Sequence, residues 1–171
     1  MKATMAQPGY EFMIYLRHHG FPSPLLDWSR SPYVAAFFAF APRFNEHCEN
    51  IALYSYVEHY ARGKHWSEDE ARIITLGRNA ITHPRHYTQQ SEYTICKKRV
   101  GDKYVYSEHE EVFDREQDQQ DLLTKYVIPT SQRDRFLGKL DLMNIKAYSL
   151  FRDESSLMQT LAYREMESRH L

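Results

Sequence analysis

Helical periodicity recurs along the chain, with apolar residues three or four positions apart on one side of each segment. This pattern predicts amphipathic helices over the segments 10–19, 67–76, 131–143 and 153–162. The run 33–41 is apolar on all sides and follows Ser31-Pro32, which is typical of a buried helix that begins with a serine cap. The caps predicted for three other helices are Ser67 with Glu70, Ser131 with Asp134, and Asp153. The apolar side of the last helix is predicted to hold Leu157, Met158, Leu161 and Ala162.

Strand-like segments lie between these helices. Alternating or β-branched residues predict strands over the segments 25–28, 51–57, 92–97, 103–106 and 122–128, with a hairpin around Gly101-Asp102. The acidic run 107–120 predicts a solvated loop, and the polar start predicts a flexible N-terminus over 1–9. Helices and strands are mixed without a regular βαβ order. We therefore predict an α+β fold, with a mixed or antiparallel sheet and flanking helices, in a single domain over 10–171.

Composition describes a folded, nearly neutral protein. Hydrophobic residues are 42% and charged residues 26% of the 171 positions, which excludes a disordered or collagen-like chain. The 22 Lys+Arg and 23 Asp+Glu give a net charge of -1, so we expect no general nucleic-acid binding. Apolar runs are far shorter than the ~20 residues that span a bilayer, and no secretion signal is visible. We expect a cytoplasmic protein without a membrane partner, in which Cys48 and Cys96 are buried small hydrophobes.

The motifs that mark common enzyme classes are missing from the sequence. There is no P-loop, no G-x-G-x-x-G, no G-x-S-x-G and no H-E-x-x-H. We predict no metal site, because His18 and His19 point about 100° apart on a helix and His83 and His86 flank a proline in a loop. Aromatic residues make up 14% of the chain. They fill a small core with large rings, or some of them line an interface or a pocket for a flat ligand such as a nucleobase or nicotinamide.

Asp27 and Trp28 interrupt an apolar stretch between Leu25-Leu26 and the predicted buried helix. Two interpretations of Asp27 stay open. Its carboxylate caps the next helix or accepts backbone N–H bonds, or it is a pocket carboxylate beside the Trp28 ring. A carboxylate next to an aromatic plate is the pairing that holds a ribose hydroxyl and a stacked base.

Three segments together resemble the FRG domain family. The segment 17–29, RHHGFPSPLLDWS, is similar to the family signature Q-H-Y-G-L-P-T-R-L-L-D-W-T, and the segment 85–94, RHYTQQSEYT, resembles R-x-x-A-Q-Q-G-x-F-T. The family's C-terminal pattern, I-P followed by L, G-I and L-F-P, is matched by Ile128-Pro129, Leu140, Ile145 and Leu150-Phe151.

The chain departs from the family pattern at several points. Pro24 replaces an arginine that would meet a phosphate or the aspartate, and Ser91 replaces a glycine. The name-giving Phe-Arg-Gly segment is expected upstream of the first signature and is absent, so we expect a truncated or divergent member. Arg17 and Arg30 are the candidate substitutes for the missing arginine in anchoring a phosphate.

The resemblance implies a function only by analogy with ADP-ribosyltransferases. In those enzymes NAD is held by an arginine on an early strand, a polar-aromatic strand and a later strand that carries Glu or Gln. The segments of the FRG family come in the same order. The binding residues implied in this way are His19, Asp27, Trp28, Ser29, Arg85 and Gln90. Glu92 and Gln89 are the catalytic candidates, with Glu92 stabilising developing positive charge. The alternative for Gln89 and Gln90 is hydrogen bonding at the edge of a strand.

Two functions are carried forward from the sequence. The first is an NAD-handling, ADP-ribosyltransferase-like enzyme, or its inactive remnant, in a bacterial or phage conflict system, with NAD as substrate. The second is a non-catalytic regulatory module that binds a nucleotide, a protein partner or the missing N-terminal segment. A third possibility, without biological purpose, is dimerisation through an apolar surface that truncation exposes.

Overall fold

The computed structural model of the chain describes residues 9–44, 47–59, 67, 69–76, 84–113 and 121–167. Within these ranges the helices are α1 Tyr10–His18, α2 Pro32–Phe40, α3 Arg85–Thr88, α4 Glu110–Phe113, α5 Arg133–Leu142, α6 Ala147–Phe151 and α7 Glu154–Ala162. The strands are β1 Leu25–Ser29, β2 Asn50–Val57, β3 Arg72–Thr75, β4 Ser91–Val100, β5 Lys103–Tyr106 and β6 Leu122–Pro129. The predicted α+β class is confirmed. The segment 1–9, predicted to be flexible, lies outside the described residues except for Gly9.

Capping residues place the first helices where the sequence predicts them. α2 begins at Pro32, and Ser31 Oγ accepts a hydrogen bond from the Val34 amide at 3.3 Å. α1 ends before His19, and Gly20 follows with φ +79, a conformation that favours glycine. The caps work because helix ends leave backbone groups without intrahelical partners.

The predicted hairpin is confirmed, and its turn has two residues. β4 and β5 pair antiparallel with Val100 opposite Lys103, so Gly101 and Asp102 alone form the turn. Gly101 has φ +60, which a residue with a Cβ rarely adopts.

The helix predicted over 67–76 is wrong, because this part of the chain contains strand β3. The contact that suggested a cap does exist, since Glu70 Oε2 accepts a hydrogen bond from the Ser67 amide at 3.0 Å, but it closes a turn. β3 pairs antiparallel with β4, and Ile73 is buried there. Two β-branched isoleucines gain more by packing on a sheet than in a single helical turn.

The loop predicted over the acidic run 107–120 is wrong in part. Glu110–Phe113 form the short helix α4, and Val112 is only 2% exposed. His109, directly before the helix, is also buried. Residues 114–120 lie outside the described residues. One apolar residue therefore anchors an otherwise acidic turn, which a charge count does not reveal.

The described contacts group into two compact units. The first comprises Met1–Trp28, Ser55–His83 and Glu92–Thr124, and the second comprises Ser29–Tyr54, Pro84–Ser91 and Lys125–Leu171. Boundaries between the units fall inside β1, β2, β4 and β6. β2 and β6 pair with each other. The single domain over 10–171 stays a prediction.

The first unit is built on a sheet in the order β1-β4-β3, with β5 also paired to β4. Successive residues of β4 point to opposite sides, so the sheet carries two small cores. The core that includes α1 consists of Ile14, Leu25, Tyr93 and Ile95. The core that includes α4 consists of Ala71, Ile73, Cys96 and Val112. We call the two sides of the sheet the α1 face and the α4 face.

The second unit has one larger core around α2 and α5. Its buried members are Val34, Ala36, Phe37, Phe40, Ile51, Leu137, Leu140, Ala147 and Leu150. Phe40 is fully buried and stacks on Phe136, with ring centroids 4.4 Å apart. The prediction that α2 is buried all round is wrong, since Tyr33 and Phe38 are 53% and 40% exposed.

The start of α5 also differs from the prediction. A 3₁₀ turn, Thr130–Gln132, leads into the helix at Arg133, so Ser131 does not cap it. Met143, the last residue of the predicted amphipathic segment 131–143, is 54% exposed.

The apolar side predicted for α7 is wrong, although its Asp153 cap is confirmed by a hydrogen bond from the Ser156 amide at 2.8 Å. The buried residues of α7 are Ser156 and Thr160, whereas Met158 is 58% and Leu161 43% exposed. Thr160 Oγ1 accepts a hydrogen bond from the amide of Tyr148 in the first turn of α6 at 3.0 Å. The buried hydroxyl thus satisfies a helix amide that has no intrahelical partner.

Candidate functional site

Asp27 and Trp28 make their contacts on opposite sides of β1, because neighbouring residues of a strand point in opposite directions. Asp27 Oδ2 accepts a hydrogen bond from Arg17 Nε of α1 at 2.8 Å. Trp28 Nε1 donates to Thr94 Oγ1 of β4 at 2.8 Å. Asp27 therefore belongs to the α1 face and Trp28 to the α4 face, and the structure does not bring this predicted pair into one pocket.

The Asp27 carboxylate is held by a surface ion pair. The side chains of Arg17 and Asp27 are 32% and 49% exposed, so the pair contributes at most about 1 kcal/mol. Of the described hydrogen bonds, none makes Asp27 a helix cap, and Ser31 fills that role at α2. Arg17, expected to anchor a phosphate, has its Nε on Asp27.

Of the two adjacent histidines, His18 rather than His19 reaches the sheet. His18 Nε2 lies 2.9 Å from Tyr93 OH, and the rings meet edge to face. His19, a predicted binding residue, is exposed, with its ring centroid 4.5 Å from that of Tyr15. Neighbours on a helix point about 100° apart, so one histidine faces the sheet and the other faces away.

On the α4 face, hydrogen bonds connect Trp28 to His109 through one threonine. Thr94 is 1% exposed. Its Oγ1 accepts the Trp28 Nε1–H at 2.8 Å and lies 2.9 Å from His109 Nε2. The Trp28 ring also lies beside the Tyr56 ring, with centroids 5.4 Å apart and planes tilted by 33°. This geometry is near the offset stacking that aromatic pairs prefer.

Tyr56 is held in turn by a buried carboxylate. Its hydroxyl donates to Asp121 Oδ2 at 2.9 Å, and Asp121 Oδ1 accepts the His59 amide at 3.0 Å. Burial, followed by the charge of Asp121, raises the pKa of Tyr56. The phenol therefore stays protonated and continues to donate this hydrogen bond.

Glu92 shares the α4 face with Thr94, because the two residues are two positions apart on β4. Its side chain is half-buried. We call Trp28, Tyr56, Glu92, Thr94 and His109 the Trp28 site. It combines two partly exposed rings, a carboxylate and a buried imidazole.

The second unit contains Ser29, Gln89 and Gln90. Ser29 Oγ donates to the Gln89 carbonyl at 2.8 Å, and Gln89 Nε2 donates to the Leu150 carbonyl at 3.3 Å. The interpretation of Gln89 and Gln90 as strand residues is wrong: Gln89 follows α3, and Gln90 has φ +49 just before β4 begins. The Gln90 carbonyl accepts the Arg30 amide at 3.0 Å.

Arg85, also in the second unit, contacts the start of α7. Its Nη2 donates to Asp153 Oδ2 at 2.6 Å, and its guanidinium lies 5.3 Å from the centroid of the Phe151 ring. Hydrogen bonds from Ser156, with the charge of Arg85 adding to them, hold the pKa of Asp153 below its ordinary value. The Asp153 carboxylate is thus engaged by both the helix end and Arg85.

A family model described as FRG domain matches residues 2–48, about a quarter of the chain. The segment 2–48 is therefore similar to the FRG domain family, as the motif at 17–29 predicts. The matched segment includes α1, β1 and α2. No curated protein and no solved structure is significantly similar to the chain.

The FRG signature residues have distinct structural roles in this chain. Gly20 makes the left-handed turn after α1, and Leu25 is fully buried in the core of the α1 face. Asp27 pairs with Arg17, and Trp28 joins the α4 face. The signature therefore supplies both faces of one strand.

Four residues of the α4 face were not predicted from the sequence: Tyr56, Thr94, His109 and Asp121. His109 lies in an acidic run that resembles a loop, and Thr94 is one more polar residue within a strand. Of the four, only Asp121 could have been identified from the sequence. It is a single acidic residue directly before an alternating strand, and an acid beside buried positions needs hydrogen-bond partners.

The described residues also bear on the predictions about metal ions, thiols and membranes. Among these residues, no three His, Cys, Asp or Glu side chains are grouped as metal ligands are. Cys96 is buried as predicted, whereas Cys48 is half-buried. None of the helices within these ranges has the length and apolar character needed to cross a membrane.

We expect His109 to make the stability of the protein depend on pH. Burial lowers the pKa of His109, with Glu110 opposing, so the folded state binds the proton less tightly than the unfolded chain. The stabilising contribution is fully present above the unfolded pKa of about 6.5 and is lost as the pH falls from there toward the lower folded pKa. Urea unfolding at several pH values is expected to show a smaller loss in His109→Gln. His19→Gln, at an exposed site, should keep the wild-type slope, and equal slopes in all three proteins would contradict the assignment.

Proposed function

We propose that this FRG-domain protein binds a nucleotide at the Trp28 site. The flat ring of the ligand packs against Trp28 and Tyr56, and the ribose hydroxyls donate hydrogen bonds to Glu92. The observation that carries the proposal is an aromatic pair and a carboxylate on one face of the sheet, with both rings held by buried polar groups.

The proposal is supported by the small change in structure that the Trp28 site needs in order to bind a ligand. Thr94 holds the Trp28 indole and Asp121 holds the Tyr56 phenol, so both rings are oriented before a ligand arrives. Orienting side chains in advance reduces the entropy that binding costs. A carboxylate near a stacking surface is the chemistry that recognises a nucleoside, because the ring stacks while the hydroxyls need acceptors.

NAD is the nucleotide we propose in particular, with Glu92 as the catalytic residue. β1 and β4, which carry Trp28 and Glu92, are neighbours in the sheet. When the bond between ribose and nicotinamide breaks, its electron pair leaves with nicotinamide, and a carboxylate at the site of Glu92 stabilises the ribosyl cation until a nucleophile adds. Gln89 is not included, because its side-chain amide already donates to Leu150.

Thermal unfolding with AMP, ADP-ribose and NAD tests the binding. A ligand at about 100 times its dissociation constant adds about 2.7 kcal/mol, a shift of roughly 5–11 °C for a chain of this size. Glu92→Gln is expected to weaken ADP-ribose binding by about 10- to 150-fold, because hydrogen bonds to a charged group are lost. Trp28→Ala is expected to remove the shift for all three ligands.

Control variants distinguish a loss of binding at the Trp28 site from a general effect on the protein. Glu108→Gln makes the same chemical change at an exposed position of the first unit and should bind as wild type. Nicotinamide release from NAD that stops in Glu92→Gln would support an enzyme, whereas binding without release would support a non-catalytic module. Unchanged shifts in both Trp28→Ala and Glu92→Gln would exclude the Trp28 site.

A further inference from the structure

One end of the sheet carries cations and tyrosines together on one side. In the pairing register, Lys97 lies opposite Arg72 on β3 and opposite Tyr106 on β5, and Arg99 lies opposite Tyr104. Residues directly opposite each other in antiparallel strands share a face, and Lys97 and Arg99 are two positions apart on β4. We call these five residues the tyrosine–cation face.

The two rings are open to solvent, and two of the three cations lie beside one of them. Tyr104 and Tyr106 are 53% and 59% exposed. Lys97 Nζ lies 5.1 Å and Arg72 Cζ 5.9 Å from the centroid of the Tyr104 ring. Burial, and then the neighbouring charge of Arg72, lowers the pKa of Lys97. Two cations are therefore crowded at one ring, which favours the approach of an anion.

We propose that the tyrosine–cation face binds single-stranded nucleic acid, with bases stacked on Tyr104 and Tyr106 and phosphates held by Lys97, Arg72 and Arg99. Single strands are bound without sequence preference by this combination, because every base has a flat face and every nucleotide a charge.

The spacing of the rings fits an extended strand. Tyr104 and Tyr106 are two residues apart on β5, which places them about 6.8 Å apart along the strand. This distance is twice the ~3.4 Å rise between stacked nucleotides. A single strand that is extended to about twice this rise therefore has one base for each ring. The net charge of -1 excludes a global attraction, and binding here depends on the local cations alone.

This site is separate from the nucleotide site proposed above. Lys97 and Arg99 continue the side of β4 that holds Tyr93 and Ile95, the α1 face, whereas Glu92 belongs to the α4 face. Substitutions on one face therefore leave the other face's contacts in place, and the two proposals are tested independently.

The experiment is fluorescence anisotropy with a labelled ten-nucleotide oligo(dT) at a series of salt concentrations. Three phosphate contacts predict that the logarithm of the binding constant falls with the logarithm of salt with a slope of about -2. Tyr104→Ala is expected to weaken binding by about 5- to 150-fold through loss of stacking, and Tyr104→Phe, which keeps the ring, should retain it. Lys97→Gln should make the slope shallower by about 0.7.

The adjacent Lys98 provides the matched control. It lies next to Lys97 on β4 but on the opposite face, where its Nζ contacts Glu111 Oε2 at 2.8 Å. Lys98→Gln is expected to change binding by less than about 2-fold, since it removes no phosphate contact. Lack of binding by the wild type at low salt, or equal losses in Lys97→Gln and Lys98→Gln, would overturn the proposal. A labelled polyglutamate peptide that binds as tightly as the oligonucleotide would also overturn it, in favour of an acidic protein partner.

Discussion

Replacement of Phe40 by alanine is expected to lower the free energy of unfolding by about 3–5 kcal/mol. Phe40 is fully buried in the second unit and stacks on Phe136 with planes only 11° apart. Truncation removes both the buried area and the ring contact and leaves a cavity that neighbours fill only in part. Urea unfolding followed by far-UV circular dichroism measures the change, which corresponds to a melting temperature lower by roughly 6–20 °C.

Phe38 offers a control within the same helix. It is 40% exposed and meets Phe151 edge to face. Phe38→Ala changes the same residue type at nearly the same point of α2, so differences in helix propensity cancel. We expect a loss of about 1–2 kcal/mol, because less area is buried. Equal losses at both positions would contradict the packing described for the second unit.

Thr94→Val is expected to cost about 2–4 kcal/mol, although valine has nearly the same shape and favours strands. The hydroxyl is the partner of both Trp28 Nε1 and His109 Nε2, and Thr94 is 1% exposed. Its removal leaves two polar groups without that partner in a place with little water. Urea unfolding followed by tryptophan fluorescence also reports the change in the surroundings of Trp28.

The control for Thr94 lies directly across the sheet. Thr75 of β3 is opposite Thr94 in a half-buried position. Its Oγ1 donates a hydrogen bond to Glu58 Oε2 at 3.0 Å, and its side chain is also hydrogen-bonded with Tyr56. Thr75→Val is expected to cost no more than about 1 kcal/mol. A Thr94→Val protein as stable as Thr75→Val would show that the link between Trp28 and His109 contributes little.

The Thr94→Val variant also bears on the proposed function. If Thr94→Val folds but binds AMP or ADP-ribose more weakly, the orientation of Trp28 matters for binding as well as for stability. Because Thr94 positions Trp28 rather than touching the ligand, the Tyr56 ring and Glu92 remain available in that variant.

Much of the local structure of this protein is predictable from residues that act over short distances. Ser31 and Asp153 cap the helices that follow them, and Gly101 makes the hairpin turn. The helix predicted over 67–76 is wrong because of a contact that is distant in sequence. Ser67 and Glu70 form their local contact, but pairing with β4 makes the next residues a strand. In α7, the hydrophobic pattern predicted the wrong buried side, because Thr160 is needed by an amide of α6.

The candidate site was predicted less completely than the fold. Trp28 and Glu92 were singled out from the sequence, and the structure places both on the α4 face. One of the two interpretations of Asp27 places it in the same pocket as Trp28, but strand alternation turns it toward Arg17. His109 was not identified, because its partner Thr94 belongs to a strand that precedes the acidic run.

The sequence by itself determined where most helices and strands lie, the α+β class and the segment that resembles the FRG domain, because propensity, capping and motif spacing act within a few residues. Only the tertiary structure decided which side chains meet. Trp28 and Thr94 are 66 positions apart, and their contact depends on β1 and β4 being neighbours in the sheet. Tyr104 joins Lys97 and Arg99 on one face through pairing register alone. Register depends on the packing of the whole sheet, and a shift of one residue would turn each of these side chains to the other face.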